Sequence, residues 1–236
     1  MLLSIDTSTA QVGVALLDGG QLVVESLWNS RVHHTVELAP AVAQLLGRAG
    51  ATPGDVTGVV VAIGPGSFTA LRVGMAFAKG FSLAHKVGLI GVPTLDILAG
   101  AQPPSNFPLA ALLQAGRGRV ALNWYKFSVK GQEPQDEVVD ETAGTWVSKG
   151  KPEITTVDLL AKSITKTSIV AGELSEDERQ RLARKRARVV LAPVHLCVRR
   201  PAILAEIGWK RLLAGQVDNA ATLAPIYLHT GEPIPA

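Results

Sequence analysis

The amino-acid sequence predicts an α/β protein built in two regions, and three observations carry that expectation. Of its 236 residues, 47% are hydrophobic and only 18% charged, a balance that supports a packed core and excludes a disordered chain. Short β-like runs alternate with amphipathic helical spacing through the first hundred residues. A turn-rich stretch with Gly100, Pro103, Pro104 and Pro108 then interrupts the pattern, and divides a first region, 1–100, from a second, 101–236.

Residues 2–6, 12–17 and 22–27 read as three strands, punctuated by Thr7-Ser8-Thr9 and Asp18-Gly19-Gly20 in the manner of an antiparallel meander. Val36, Ala39, Val42, Ala43, Leu46 and Ala49 recur at helical spacing until Gly50, with Pro40 either starting or kinking that helix. The run 59–63 is apolar throughout, as in a strand buried on both faces, and Gly64-Pro65-Gly66 leads from it to Ser67, placed to cap a helix reaching residue 84. A strand over 87–92 ends at Pro93. In the second region, 109–114, 120–129 and 168–171 read as strands, and 157–164, 176–185 and 202–213 as helices, before an extended tail Pro225-Ile226-Tyr227-Leu228. No internal sequence repeat is visible.

Several function classes are excluded at this level. A single cysteine, Cys197, rules out a disulfide framework and a cysteine-cluster zinc site. The apolar runs fall far short of a membrane span and the start MLLSID lacks a basic segment, so the expectation is a cytoplasmic chain without membrane contact. The net charge of +3 is uneven: residues 1–100 carry five basic and six acidic side chains, and the excess lies in Arg179, Arg181, Arg184, Lys185, Arg186 and Arg188. These follow Glu173, Glu176, Asp177 and Glu178, an order that suits one solvated helix with favourable end charges, or else a polyanion patch.

Two motifs suggest chemistry. Asp6-Thr7-Ser8-Thr9 places a carboxylate and three hydroxyls in a tight turn, where they could cradle a phosphate and hold a metal-bound water, or simply stabilise the turn. Gly64-Pro65-Gly66-Ser67 opens a helix whose free amides form an anion site by geometry, although it is neither a P-loop nor a dinucleotide fingerprint. The helix that follows carries two stripes of small residues, Ala70-Gly74-Ala78 and Ala76-Gly80-Ala84, together with Phe68, Leu71, Met75, Phe77 and Phe81. One stripe suffices to seat a helix on its own sheet, so the surplus suggests a partner interface. His33 and Glu37 make at most an incomplete metal pair, and no nucleophilic triad can be assembled around Cys197 or Ser67.

The opening Leu3-Ser4-Ile5-Asp6-Thr7-Ser8-Thr9, the block His34-Thr35-Val36-Glu37-Leu38-Ala39-Pro40, the block from Gly64 to Gly74 and the tail from Pro225 to Leu228 resemble, in order, the TsaB (YeaZ) family. The resemblance implies a two-lobed actin-like (ASKHA) fold, each lobe a mixed sheet with flanking helices, the C-terminal helix and tail packing back on the first lobe. It implies a non-catalytic scaffold in forming N6-threonylcarbamoyladenosine beside the anticodon of ANN-decoding tRNAs. The implied partners are a metal-dependent TsaD-like catalytic subunit and a TsaE-like ATPase, with a homodimer when alone and tRNA met only through the complex. Asp6, Thr7, Ser8 and Thr9 would form a degenerate phosphate loop, with no cofactor of the chain's own and ATP or ADP held weakly or shared with a partner. The implied partner interface is Leu38, Val42, Leu46, Phe68, Ala70, Leu71, Gly74, Met75 and Ala78.

Departures from the family pattern are also legible. Where the catalytic sister family has a metal-binding histidine pair, the aligned positions here are Thr94 and Leu98, and a leucine cannot ligate a metal. Ala70 stands where the family usually has glycine. Alternative readings are an ATP-dependent actin-fold kinase or hydrolase, a glycoprotease-like peptidase, and a direct tRNA-binding module resting on the basic helix.

Overall fold

The computed structural model describes residues 1–30, 34–129, 144–185 and 187–228. These form two compact units, one of Met1–Ile97 with Arg199–Tyr227, the other built on Leu98–Val198.

In the first unit, β1 (Leu2–Asp6), β2 (Gln11–Asp18) and β3 (Gln21–Asn29) form the antiparallel meander. Helix α1 (His34–Arg48) follows, with Pro40 inside it on the exposed side rather than at its start. Strand β4 (Gly58–Ala62), helix α2 (Phe68–His85) and strand β5 (Gly88–Val92) complete the series. β4 joins the other side of β1 in parallel and β5 extends it, giving the order β3-β2-β1-β4-β5. Leu38, Val42, Leu45 and Leu46 of α1 and Met75 and Ala78 of α2 pack with Leu3, Ile5, Val14, Val59 and Val61 on one face of this sheet.

The short helix α3 (Thr94–Gly100) escaped the sequence reading because Leu95, Ile97, Leu98 and Ala99 are all buried, leaving no polar face to set a helical period. In the second unit, β6 (Leu109–Gln114), β7 (Val120–Val129) and β8 (Gly144–Ser148) are antiparallel, and β9 (Glu153–Thr155) also pairs with β7. Helix α4 (Val157–Ser163), strand β10 (Ser168–Gly172), helix α5 (Glu176–Ala183) and strand β11 (Val189–Leu191) follow, with β10 parallel to both β6 and β11. The order β11-β10-β6-β7-β8 repeats the pattern of the first sheet, a central strand flanked by a meander on one side and parallel strands on the other. Topology depends on which faces are apolar and where turns fall, so it can repeat without repeated residues.

The charged helix stops at Ala183, short of the expected residue 185. It begins with a capping box in which Ser175 Oγ accepts from the Glu178 N–H and the Glu178 carboxylate accepts from the Ser175 N–H at 2.7 Å. Glu178 also accepts from Gln114 Nε2 at 2.8 Å and is buried. Glu178→Ala is expected to lower stability by about 1–2 kcal/mol, read by thermal denaturation.

Helix α6 (Pro201–Leu213) belongs to the first unit and covers the second face of its sheet. Leu204 and Ala205 pack with Leu2, Leu17, Val60, Ala62, Ile90 and Val92. The successive valines of β4 thus alternate between the two layers, which explains a strand with no polar residue.

Candidate functional site

Asp6-Thr7-Ser8-Thr9 forms the turn from β1 to β2, and its side chains bond inward. Asp6, Thr7 and Ser8 are each at most 1% exposed. The Asp6 carboxylate accepts from the Ser8 N–H at 2.8 Å through Oδ1 and from Arg199 Nε at 2.8 Å through Oδ2. The Arg199 side chain is wholly buried, and its Nη2 donates to Thr9 Oγ1 at 2.8 Å and to the Gln11 carbonyl at 2.9 Å. The Thr7 hydroxyl donates to the Ala70 carbonyl at 2.7 Å, and Ser8 Oγ lies 2.8 Å from Thr94 Oγ1, which accepts from the Gly64 N–H. The side chains of these four residues, expected to form a degenerate phosphate loop, are thus bonded to the chain's own groups, and the Arg199 guanidinium lies beside the Asp6 carboxylate.

Arg199 was not among the residues expected to matter. It lies one residue before the N-cap of α6, where the helix dipole disfavours a cation, and Asp6 supplies the compensating charge. The next residue, Arg200, turns to Glu25, whose carboxylate holds its guanidinium pKa above the ordinary value. The Ser4 hydroxyl donates to the Pro201 carbonyl at 2.7 Å, fixing the start of the helix. The available signal was the chain's one consecutive arginine pair, set against a helix-starting proline.

The glycine block and the tail meet. The Ile226 N–H donates to the Ile63 carbonyl at 2.6 Å, and Gly64 has φ +106°, with a Cβ there falling 2.5 Å from the Ile226 carbonyl oxygen. Glycine is required on both counts. Ser67 caps α2 as expected, its Oγ accepting from the Ala70 N–H. Tyr227 then lies 4.9 Å from the Phe68 ring, and its hydroxyl accepts from Arg72 Nε at 3.0 Å.

The nine residues expected at a partner interface lie on α1 and α2, and Leu38 and Phe68 line a groove between these helices. Leu38, Val42, Leu46, Ala70, Leu71, Gly74, Met75 and Ala78 are buried within the unit itself, and only Phe68, at 51%, is exposed. The stripe Ala70-Gly74-Ala78 seats α2 on the β1–β2 turn, a Cβ at Gly74 falling 2.3 Å from Thr7 Oγ1. Ala70, the departure from the family pattern, is an ordinary buried helical residue. The stripe Ala76-Gly80-Ala84 faces outward. Between α1 and α2 runs an apolar groove of about 490 Å³, lined by Leu38, Ala39, Phe68, Val73, Ala76 and Phe77, with Arg72 on its wall.

Thr94 and Leu98, the positions aligned with the histidine pair, are both fully buried. His33 lies outside the described residues, and Glu37 accepts from Trp28 Nε1 at 2.9 Å. Among the described residues no three His, Cys, Asp or Glu side chains gather as metal ligands, and no helix is long and apolar enough to cross a membrane. Of the basic cluster, Arg179 donates to the Ala192 carbonyl, Arg181 pairs with Asp158 and Asp177, and Arg186 lies outside the described residues.

Two units with matching mixed sheets define an actin-like ATPase fold. The solved structure of YeaZ from Pseudomonas aeruginosa superposes with a TM-score of 0.74 at 22% identity, covering 96% of this chain and 99% of that one. Ethanolamine utilization protein EutJ from Carboxydothermus hydrogenoformans gives 0.51 at 16% identity, covering 87% and 89%. The family model for TsaD, tRNA N6-adenosine threonylcarbamoyltransferase, matches residues 29–215. The tRNA threonylcarbamoyladenosine biosynthesis protein TsaB of Bacillus subtilis is 32% identical over 126 residues, 53% of this chain and 55% of the relative. A tRNA N6-adenosine threonylcarbamoyltransferase of Trichlorobacter lovleyi is 31% identical over 195 residues, 72% of this chain and 56% of the relative. The matches thus span little more than half the length of these two relatives. On these findings the chain belongs to the family that the TsaD model describes, and its relatives there include proteins named TsaB.

Proposed function

We propose that this chain takes part in forming N6-threonylcarbamoyladenosine on ANN-decoding tRNAs as a non-catalytic scaffold. It binds and activates a TsaD-like catalytic subunit and helps recruit a TsaE-like ATPase, in the cytoplasm. The observation that carries the non-catalytic reading is the buried Arg199–Asp6 pair: the fold is that of actin-like ATPases, yet the turn that would hold phosphate is filled from within. Nucleotide is accordingly not held by this turn alone, and any ATP or ADP is shared with a partner. The exposed face of α1 and α2, with its apolar groove, supports partner binding and a homodimer when the partner is absent. The internal pairing of Arg179 and Arg181 favours a solvated helix over direct tRNA contact by α5.

The test is modification of tRNA in vitro, read by mass spectrometry of digested nucleosides, with all other components supplied and this chain present or omitted. Modification should require the chain and should fail when it replaces the TsaD-like subunit. Full modification without it, or ATP turnover by the isolated chain that stops in Asp6→Asn, would overturn the scaffold reading.

A further inference from the structure

The parallel strands β6, β10 and β11 of the second unit begin side by side. A hydrogen-bonded row joins their starts, the Ile169 N–H donating to the Pro108 carbonyl at 2.8 Å and the Ser168 N–H to the Arg188 carbonyl at 2.9 Å. This row gathers cations from separate loops. Lys166 precedes β10, its carbonyl accepting from Ser168 Oγ, and Arg184, Lys185 and Arg188 lie between α5 and β11, where the Arg188 N–H closes a turn on the Lys185 carbonyl. All four residues are exposed, and among the described residues none of them pairs with a carboxylate. Phe107, 48% exposed, precedes Pro108 at the same end of the sheet.

A helix dipole explains only part of this cluster. The last carbonyls of α5 favour Arg184 and Lys185, but Lys166 comes from a different loop, before β10. Protein interfaces centre on a desolvated apolar core in which lysine is depleted, whereas solvated cations spread over several loops suit the regular charges of a phosphate backbone. An exposed ring beside them offers a base a stacking surface. We propose that Lys166, Arg184, Lys185 and Arg188, with Phe107, contact the phosphate backbone of RNA, so that this end of the second unit anchors tRNA while the catalytic subunit acts on it. The choice of tRNA rests on the function proposed above. α5 itself takes no part, since Arg179 and Arg181 are spent internally.

The test titrates the full chain into fluorescein-labelled unmodified tRNA and follows anisotropy between about 50 and 200 mM salt. Lys166→Gln with Arg188→Gln should weaken binding more than about tenfold at about 0.1 M salt and flatten the slope of log K against log salt by about 1.5, since each lost phosphate contact removes about 0.7–0.9. Arg48→Gln with Lys86→Gln removes the same charge from exposed positions of the first unit and should stay within about twofold of wild type. Phe107→Ala should weaken binding at least about fivefold and leave the slope unchanged. The substituted residues are exposed, so every variant should keep the wild-type circular dichroism. Equal losses in the two double variants, an unchanged slope in Lys166→Gln with Arg188→Gln, or wild-type binding to phosphatidylserine vesicles and not to tRNA would overturn the inference. A chain that binds tRNA in this way but is not needed for its modification supports this inference and overturns the scaffold reading; a chain that is needed but has no affinity for tRNA does the reverse.

Discussion

Arg199→Met is expected to lower the unfolding free energy by about 3–5 kcal/mol, because it leaves the Asp6 carboxylate buried without its counter-charge. The same change strips Thr9 Oγ1 and the Gln11 carbonyl of the donors that Nη2 supplies, so the whole β1–β2 turn loses its anchor. The double variant Asp6→Asn with Arg199→Met removes both charges together and should recover part of the loss, since an unpaired buried ion costs more than a missing pair. Urea unfolding of the three proteins measures this directly. Equal stability of Arg199→Met and wild type would show that the pair contributes nothing to the fold and that the turn is held by its hydroxyl contacts alone.

Gly74→Leu is expected to cost more than about 3 kcal/mol, and Gly74→Ala about 1–3, because the first added carbon already collides with the Thr7 side chain. Thr7 cannot withdraw freely, since its hydroxyl is committed to the Ala70 carbonyl one turn away on the same helix. Gly80 supplies the control. It lies in the same helix with nothing within 4 Å of a Cβ, so Gly80→Ala should stabilise the chain by roughly 0.5–1 kcal/mol through lower backbone entropy in the unfolded state. Thermal denaturation of the two alanine variants should therefore move in opposite directions. The contrast matters for any study of partner binding: a bulky residue at position 74 acts on the fold, whereas one at position 80 acts on the exposed face.

Much of the fold is legible in local pattern. The three-strand meander, the apolar β4 and the two helices of the first unit follow from alternation, helical spacing and turn residues, which act over a few neighbours and need no tertiary information. The elements that escaped, α3, β8, β9 and β11, are short or lack a polar face, so no period distinguishes them. The glycine block and tail were likewise recognisable as motifs, although their contact through Ile63 and Ile226 was not.

The candidate site divides along the same line. That α2 carries two stripes of small residues is a property of its spacing, but which stripe faces the β1–β2 turn depends on how the helix is rotated on the sheet, and a rotation is settled only by packing. That Asp6, Thr7, Ser8 and Thr9 form a polar turn is local chemistry, whereas whether the turn stays open is decided by Arg199, a residue far away in the chain. The sequence by itself determined the α/β class, the boundaries of most elements and the family motifs, because these arise from residues within a turn or two of each other. Only the tertiary structure decided which polar groups are spent internally and which, like Arg72, stay exposed, because burial and long-range pairing have no local signature.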